Sequence, residues 1–373
     1  MASTSTRPEI IVAVKEFKDY LNSKRFLFVF GFLAILTIIG AITGFIDYNS
    51  ALTTYNSNLQ SINSTANIAG RMVRMVEDVP SMLTIFQSYS TYIASVGAFL
   101  AICMGFDMIT REKEEGTLKL LLTHPVFRDS VINGKLLGAG TMLLLVMAST
   151  FLMTIAIMLF FGVMPGSDDL TRIGALFLMT ILFMFTWLAI AVTCSTISPN
   201  SAIALTVALF LLMLSAVVPD ISSTVSSAIA GTAPEMMIPA SANSTSSSSV
   251  SDSGGNRMFT NGGGPSFESN GTRMTINPDY QAYVSNRNNI ENIMNVISPT
   301  YNYGVISQVV NEKLSAPRSS TSGNVGFYQQ SVDQSVSVIT SLSSVLLNIL
   351  AMLVMIIVGF AVSYVKFIRV DVR

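Results

Sequence analysis

Six stretches of nearly unbroken apolar sequence constrain this chain more than any other feature. They occupy residues 26–46, about 86–108, about 136–163, about 173–197, about 201–219 and about 338–365. A helix rising ~1.5 Å per residue needs about 20 apolar residues to cross a roughly 30 Å hydrocarbon layer, and each stretch approaches or exceeds that length. The second is the weakest, because QSYSTY opens it with polar groups. Only Ser198, Pro199 and Asn200 separate the fourth from the fifth, which is a tight-turn signal. The interiors hold no Asp, Glu, Lys, Arg or His; Asp107 sits at the end of its span.

Composition agrees with that reading. Charged residues make up 12% of the chain, against about 25% in a soluble domain. A net charge of −1 does not suggest nucleic-acid binding. Cys103 and Cys194 lie in or beside apolar stretches and imply buried small hydrophobes, with no disulfide framework. The first 25 residues carry acids and bases throughout, unlike a signal peptide.

Lysine and arginine give the expected orientation. Thirteen of the 21 basic residues fall in three short segments: before the first span, in 109–135, and in the tail after 365. These segments, and therefore both termini, are expected on the cytoplasmic side of a multi-pass plasma-membrane protein. Segments 47–85, 164–172 and 220–337 are expected outside. Residues 8–22 precede the first span with Ile11, Val14, Phe17 and Leu21 at spacings of three and four, which predicts a helix lying flat in the inner interface. An amphipathic helix packed on protein is the competing reading.

Four regions follow: 1–25, interfacial; 26–219, spans one to five; 220–337, an outer Ser/Gly/Asn-rich domain; and 338–373, the last span and tail. Within the outer domain, SANSTSSSSVSDSGG is expected to be disordered or loosely held. Two short amphipathic helices are expected around Pro299, packing on the outer ends of the spans. Sequons at Asn63, Asn243 and Asn270 all fall in the expected outer segments and mark possible glycosylation sites.

The segment ITREKEEGTLKLLLTHPVFRDSVINGK, 109–135, concentrates charge around an apolar LKLLL. Leu118, Leu121, Leu122 and Pro125 keep a three-or-four spacing. Glu112, Glu114 and Glu115 sit where a helix would present its positive end, and Pro125 stops it. A short helix with an apolar ridge between two spans can dock into a partner and pass on its motion. A solvated surface helix is the plainer alternative.

Arg111-Glu112, Glu115-Gly116-Thr117-Leu118, Leu121-Leu122, Pro125, Arg128 and Gly134-Lys135 together resemble the signature of ABC-type exporter permeases of the second subfamily (ABC-2 type). VAVKEFKDYLNSKRF is similar to that family's elbow helix, and SPTYNYG and the tail YVKFIRVDVR also resemble it. The insert 220–290 has no matching counterpart. The resemblance implies an all-α membrane protein with six transmembrane helices, an N-terminal interfacial elbow, a cytoplasmic coupling helix at about 112–124 and a large extracytoplasmic insert. It implies that the coupling helix enters a cleft of a separate ATPase subunit. Leu118, Leu121 and Leu122 would supply the buried contact, and Arg111, Glu112, Glu115 and Lys119 the polar rim. Thr117 would fix the turn after Gly116, and His124 before Pro125 is a further candidate contact. Lys135 would anchor at headgroup level.

No stretch fits the phosphate-binding pattern G-x-x-x-x-G-K-[ST], so ATP and Mg are expected on the partner chain, with no catalytic residue, cofactor or metal here. Family members pair two permease subunits, either a homodimer or two paralogues. Gly40-x-x-x-Gly44 and Gly134-x-x-x-Gly138 have the spacing that allows close helix approach. The resulting expectation is the membrane subunit of an ATP-driven exporter. The competing readings are a glycosylated scaffold or sensor acting through its outer domain, and an ion-coupled secondary transporter. The last normally buries titratable groups at mid-membrane.

Overall fold

In a computed structural model the described residues are 8–65, 80–116, 128–239, 248–251, 257–261, 264–269, 272–311 and 337–369. They divide into two compact units, Met1–Ala216 with Ser298–Arg373, and Val217–Ile297.

The first unit is helical. Helix α1 spans Pro8–Asn22 and α2 Lys24–Thr65. The second apolar stretch forms α3 (Thr84–Tyr92), a π-helical turn at Ile93–Gly97, and α4 (Ala98–Gly105). A five-residue helix, α5, follows at Thr110–Glu114. Then come α6 (Arg128–Phe160), α7 (Ser167–Ile197) and α8 (Ser201–Ala230), which runs on into the second unit. Among the described residues, six segments are long and apolar enough to cross a membrane, each overlapping one expected stretch. Helix α2 is longer than a span requires. Its 42 residues extend about 63 Å, so half of the expected first outer loop is a continuation of the helix. Asn63 lies in its last turn, whereas Asn243 and Asn270 fall outside the described residues.

Helix α7 forms the centre, with Phe183, Met184, Trp187 and Leu188 fully enclosed. Against it pack α4 and α6, together with α10 (Pro299–Asn311) and α12 (Leu346–Arg369); α11 is a short turn at Val338–Ser344. Helix α10 was expected on the outer ends of the spans. Instead it returns into the bundle among α3, α7 and α12, burying nine of its thirteen residues. The Tyr303 ring stacks on Phe183 with centroids 4.5 Å apart, and its hydroxyl pairs with Thr180 at 2.9 Å. Thr180 lies about 20 Å along α7 from Ser167, so this contact is deep in the apolar layer. Neutral side chains pair with the helix on its other sides, and one buried cation reaches its last turn. Asn311 donates to Gln87 at 3.0 Å, Asn348 donates to Asn302 at 2.8 Å, and Ser298 pairs with Ser215 at 2.8 Å. Arg172, fully buried, pairs with Asp168 at 3.0 Å and donates to the Val310 carbonyl at 3.2 Å.

The second unit contains the end of α8, a five-stranded antiparallel sheet in the order β1-β5-β4-β3-β2, and α9 (Pro278–Asn295). The strands are Met237–Pro239, Ser248–Ser251, Arg257–Asn261, Gly264–Ser269 and Thr272–Ile276. The sheet is an addition to the all-α expectation for the spans, and it places part of the Ser-rich tract, 248–251, in a strand. The rest of 241–255 lies outside the described residues. Asn277 caps α9 by accepting the Asp279 N–H at 2.9 Å, with Pro278 as the first helical residue.

Candidate functional site at the charged end of the bundle

Span two ends in a turn, and α5 starts at its foot. A helix start leaves backbone N–H groups unpaired. Here the hydroxyl of Ser195 in α7 accepts both Ile109 N–H at 3.0 Å and Thr110 N–H at 3.1 Å, so the cap comes from a neighbouring helix. The helix lasts little more than a turn. Gly116 then takes φ = +68°, the left-handed conformation that glycine adopts without the penalty of a Cβ.

Four consecutive charged residues leave α5 in different directions. Arg111 closes onto Glu115 at 2.8 Å on the exposed side. Glu112 turns inward to Lys135 of α6 at 2.9 Å, and Lys135 also binds Glu16 of α1 at 2.7 Å. The Lys135 side chain is 7% exposed and each carboxylate 14%. Lys113 reaches the other way and donates to the Thr196 carbonyl at 2.8 Å. Glu114 accepts from Ser201 through its N–H at 2.6 Å and its hydroxyl at 2.9 Å. Thus a cation sits on the carbonyl end of α7 and an anion on the amide end of α8, each opposite the helix-dipole charge that favours it.

Helix α1 lies against α6 because two glycines leave room for it. A Cβ on Gly134 would fall 2.6 Å from the Val12 Cβ, and one on Gly138 would fall 2.7 Å from the Glu16 Cβ. Gly44 likewise admits α3, since a Cβ there would lie 2.7 Å from the Ile85 Cα. Both small-residue pairs therefore serve helix packing within this chain. Tyr20 completes the joint by donating its hydroxyl to the Met104 carbonyl at 2.8 Å. Burial, with Glu16 and Asp107 nearby, raises this phenol well above its ordinary range and keeps it a neutral donor.

Of the sequence-predicted site residues, Arg111, Glu115 and Gly116 are exposed and adjacent. Glu112 belongs mainly to the inward triad. Thr117, Leu118, Lys119, Leu121, Leu122, His124 and Pro125 lie outside the described residues. Lys135, expected at headgroup level, is buried between two carboxylates. Sequence reasoning did not assign Glu16, Lys113, Glu114, Ser195 or Ser201 to this site. The one available signal was opposite charges at 113 and 114 in a chain whose fourth and fifth spans meet in a tight turn. Cys103 and Cys194 are both free thiols.

The model of a family described as ABC-2 family transporter protein matches residues 10–372. Two curated relatives, each named probable ABC transporter permease protein NosY, are similar over 67 residues. The one from Pseudomonas aeruginosa is 37% identical there and the one from Stutzerimonas stutzeri 34%. In both cases the match spans 18% of this chain and 23% of the relative, well under two thirds of the relative's length.

Proposed function

The chain belongs to the ABC-2 family of transporter proteins, a multi-pass membrane protein, and we propose that it is the permease subunit of an ATP-driven exporter. In this reading the basic segments face the cytoplasm, and α5 begins the element that a separate ATPase subunit grips. The ATPase holds ATP and Mg; this chain has no chemistry of its own. A second permease subunit, identical or paralogous, supplies the other wall of the path.

The observation that carries the reading is the fan of contacts from α5. Glu112 ties it to α6 and α1, while Lys113 and Glu114 tie it to the α7–α8 turn. A displacement of α5 by a few ångströms cannot be absorbed locally, because it loads four other helices at once. Closure of two ATPase subunits around nucleotide then drives the permease between two arrangements, one of which opens outward. The family and the permease names of the relatives support transport. The outward direction rests on the sequence signature. The insert, with its sequons, would stand on the far side.

The experiment is co-purification of the tagged chain with its ATPase, followed by ATP turnover in proteoliposomes, comparing wild type with Leu121→Asp. The variant is expected to lose the ATPase on the column and its transport-coupled turnover. Labelling that places Glu115 on the side opposite the ATPase, or hydrolysis of ATP by the isolated chain, would sink the proposal.

A further inference from the structure

The segment SPTYNYG, residues 298–304, leads into α10, and the ATPase contact at α5 gives it no role. Its polar side chains reach three spans. Asn302 accepts from Asn348 of α12 at 2.8 Å, and Tyr303 pairs with Thr180 of α7 at 2.9 Å. Ser298 and Thr300 both turn to Ser215 of α8.

The contact with α8 sits at a defect in that helix. Pro219 lies inside α8 and has no N–H to give. In an α-helix that N–H belongs to the carbonyl four residues back, which is that of Ser215. A bare carbonyl is costly in an apolar layer, where no water replaces the lost donor. The Ser298 hydroxyl donates to this carbonyl at 2.7 Å, and both serines are buried. A hydroxyl has one hydrogen, so Ser298 has none left to give. Its oxygen accepts the Tyr301 N–H at 3.1 Å, which caps α10, and faces the Ser215 hydroxyl at 2.8 Å. The Ser215 hydroxyl is therefore the donor of its own pair, either to Ser298 or to Thr300 at 3.1 Å. Ser298 thus serves two helices at once, α8 by donating and α10 by accepting.

We propose that Ser298 is a positioning residue, which replaces the donor that Pro219 lacks and so fastens α10 to span five. Through Asn302 and Tyr303 the same helix also holds spans six and four. Sharp bends in helices occur mostly at proline, and here the break is closed by a single neutral donor from another helix. On the reading of the chain as a permease, on which this consequence rests, a bend in span five carries α10 with it during the ATPase cycle.

The test is a double-variant cycle on the full chain in nanodiscs, read as thermal midpoint. Ser298→Ala removes the donor and is expected to lower the midpoint by about 2–4 °C. Pro219→Ala gives Ser215 an N–H within α8 and is expected to raise it. In the Pro219→Ala background the loss from Ser298→Ala should shrink to about half or less, since only the cap on Tyr301 is then missing. Ser298→Thr keeps the hydroxyl and should match wild type. Equal losses in the two backgrounds make Ser298 a helix cap only and overturn the proposal. Turnover with the co-purified ATPase separates position from stability. Ser298→Ala and Pro219→Ala move the midpoint in opposite directions, yet each is expected to lower the maximal ATPase rate several-fold at unchanged KM for ATP. Rates that follow the midpoint, or that match wild type in both variants, overturn the positioning role. A wild-type chain that supports no coupled turnover sinks the permease reading instead, and the midpoint cycle, which needs no partner, still decides the joint.

Discussion

Two polar clusters among the described residues of the bundle are built differently. At the charged end, Glu16, Lys135 and Glu112 form a buried ionic triad, and Lys113 and Glu114 grip the α7–α8 turn. Deeper in, α10 is held mainly by neutral groups, the Tyr303 and Thr180 hydroxyls and the Asn302–Asn348 and Gln87–Asn311 amide pairs, with the Arg172 guanidinium reaching only the Val310 carbonyl of its last turn. The difference follows from the surroundings. A charge at mid-membrane is costly, whereas a charge at the bilayer edge keeps access to water and headgroups. Ionic joints also resist separation more strongly, because parting them strands a charge. Neutral amides and hydroxyls can exchange partners at little cost, since membrane hydrogen bonds average only about 0.6 kcal/mol. On the proposed reading, the charged end would transmit a displacement and the interior would accommodate one.

The largest expected effect tests the ionic side. Lys135→Met leaves Glu16 and Glu112 buried without their cation. Removing one partner of a buried pair costs roughly 3–5 kcal/mol. The thermal midpoint in detergent should fall sharply, and adding Glu16→Gln and Glu112→Gln in the same chain should recover much of the loss. If the triple variant is no more stable than Lys135→Met alone, the triad is not an electrostatic unit.

Next in size is the packing that brings the triad together. Gly138→Val places a branched side chain where the Glu16 Cβ and the Ala13 carbonyl lie within 3 Å of a Cβ. Overpacking of this kind costs about 1–3 kcal/mol. Limited proteolysis should show α1 released from α6, and lysine reagents should reach Lys135. If α1 remains protected, the glycine spacing is incidental to the joint.

These two regions were not equally legible in the sequence. The spans were readable because continuous hydropathy is a local signal. So was the turn at 198–200, whose proline and polar residues announce themselves. Helix α10 was recognised as a helix, but its depth was not. Its polar Asn302, Tyr303 and Asn311 suggest an exterior face, and their partners on three other helices permit burial, while Ser307 turns back onto the Gly304 carbonyl of its own helix. Lys135 was misplaced for the same reason: a lysine at a span edge implies an anchor until Glu16, 119 positions away, is found beside it. The sheet had weaker signals still, since its strands are only three to six residues long and sit in a Ser/Gly-rich segment, too short to establish the alternating pattern that marks a half-buried face. Hydropathy and turn chemistry are written locally, and polar pairing across the bundle is not.

A smaller effect tests the neutral side. Tyr303→Phe keeps the stack on Phe183 and removes the hydroxyl paired with Thr180. A loss of about 1 kcal/mol is expected, a modest shift in thermal midpoint. The coupled ATPase rate should change more than stability does if α10 moves during the cycle. A large stability loss with unchanged turnover would mean the interior is as stiff as the charged end, and the contrast would collapse.

The smallest stability effect belongs to Arg111, and for that reason it isolates function. Its pair with Glu115 is exposed, with the side chains 66% and 51% accessible. Exposed helical pairs of this spacing contribute only about 0.3–0.5 kcal/mol. Arg111→Ala should therefore leave folding, expression and thermal midpoint almost unchanged. Glu112, one residue on, is spent on Lys135 and Glu114 on Ser201, so the exposed Arg111–Glu115 pair is the part of α5 and its end that a partner can meet. A guanidinium there can meet a carboxylate on the ATPase in a two-pronged contact that lysine cannot reproduce. Arg111→Ala is expected to weaken ATPase capture several-fold and to make that capture less salt-sensitive, with Arg111→Lys intermediate. Should capture and its salt dependence match wild type, the exposed side of α5 carries no partner, and transmission must enter through residues beyond Gly116.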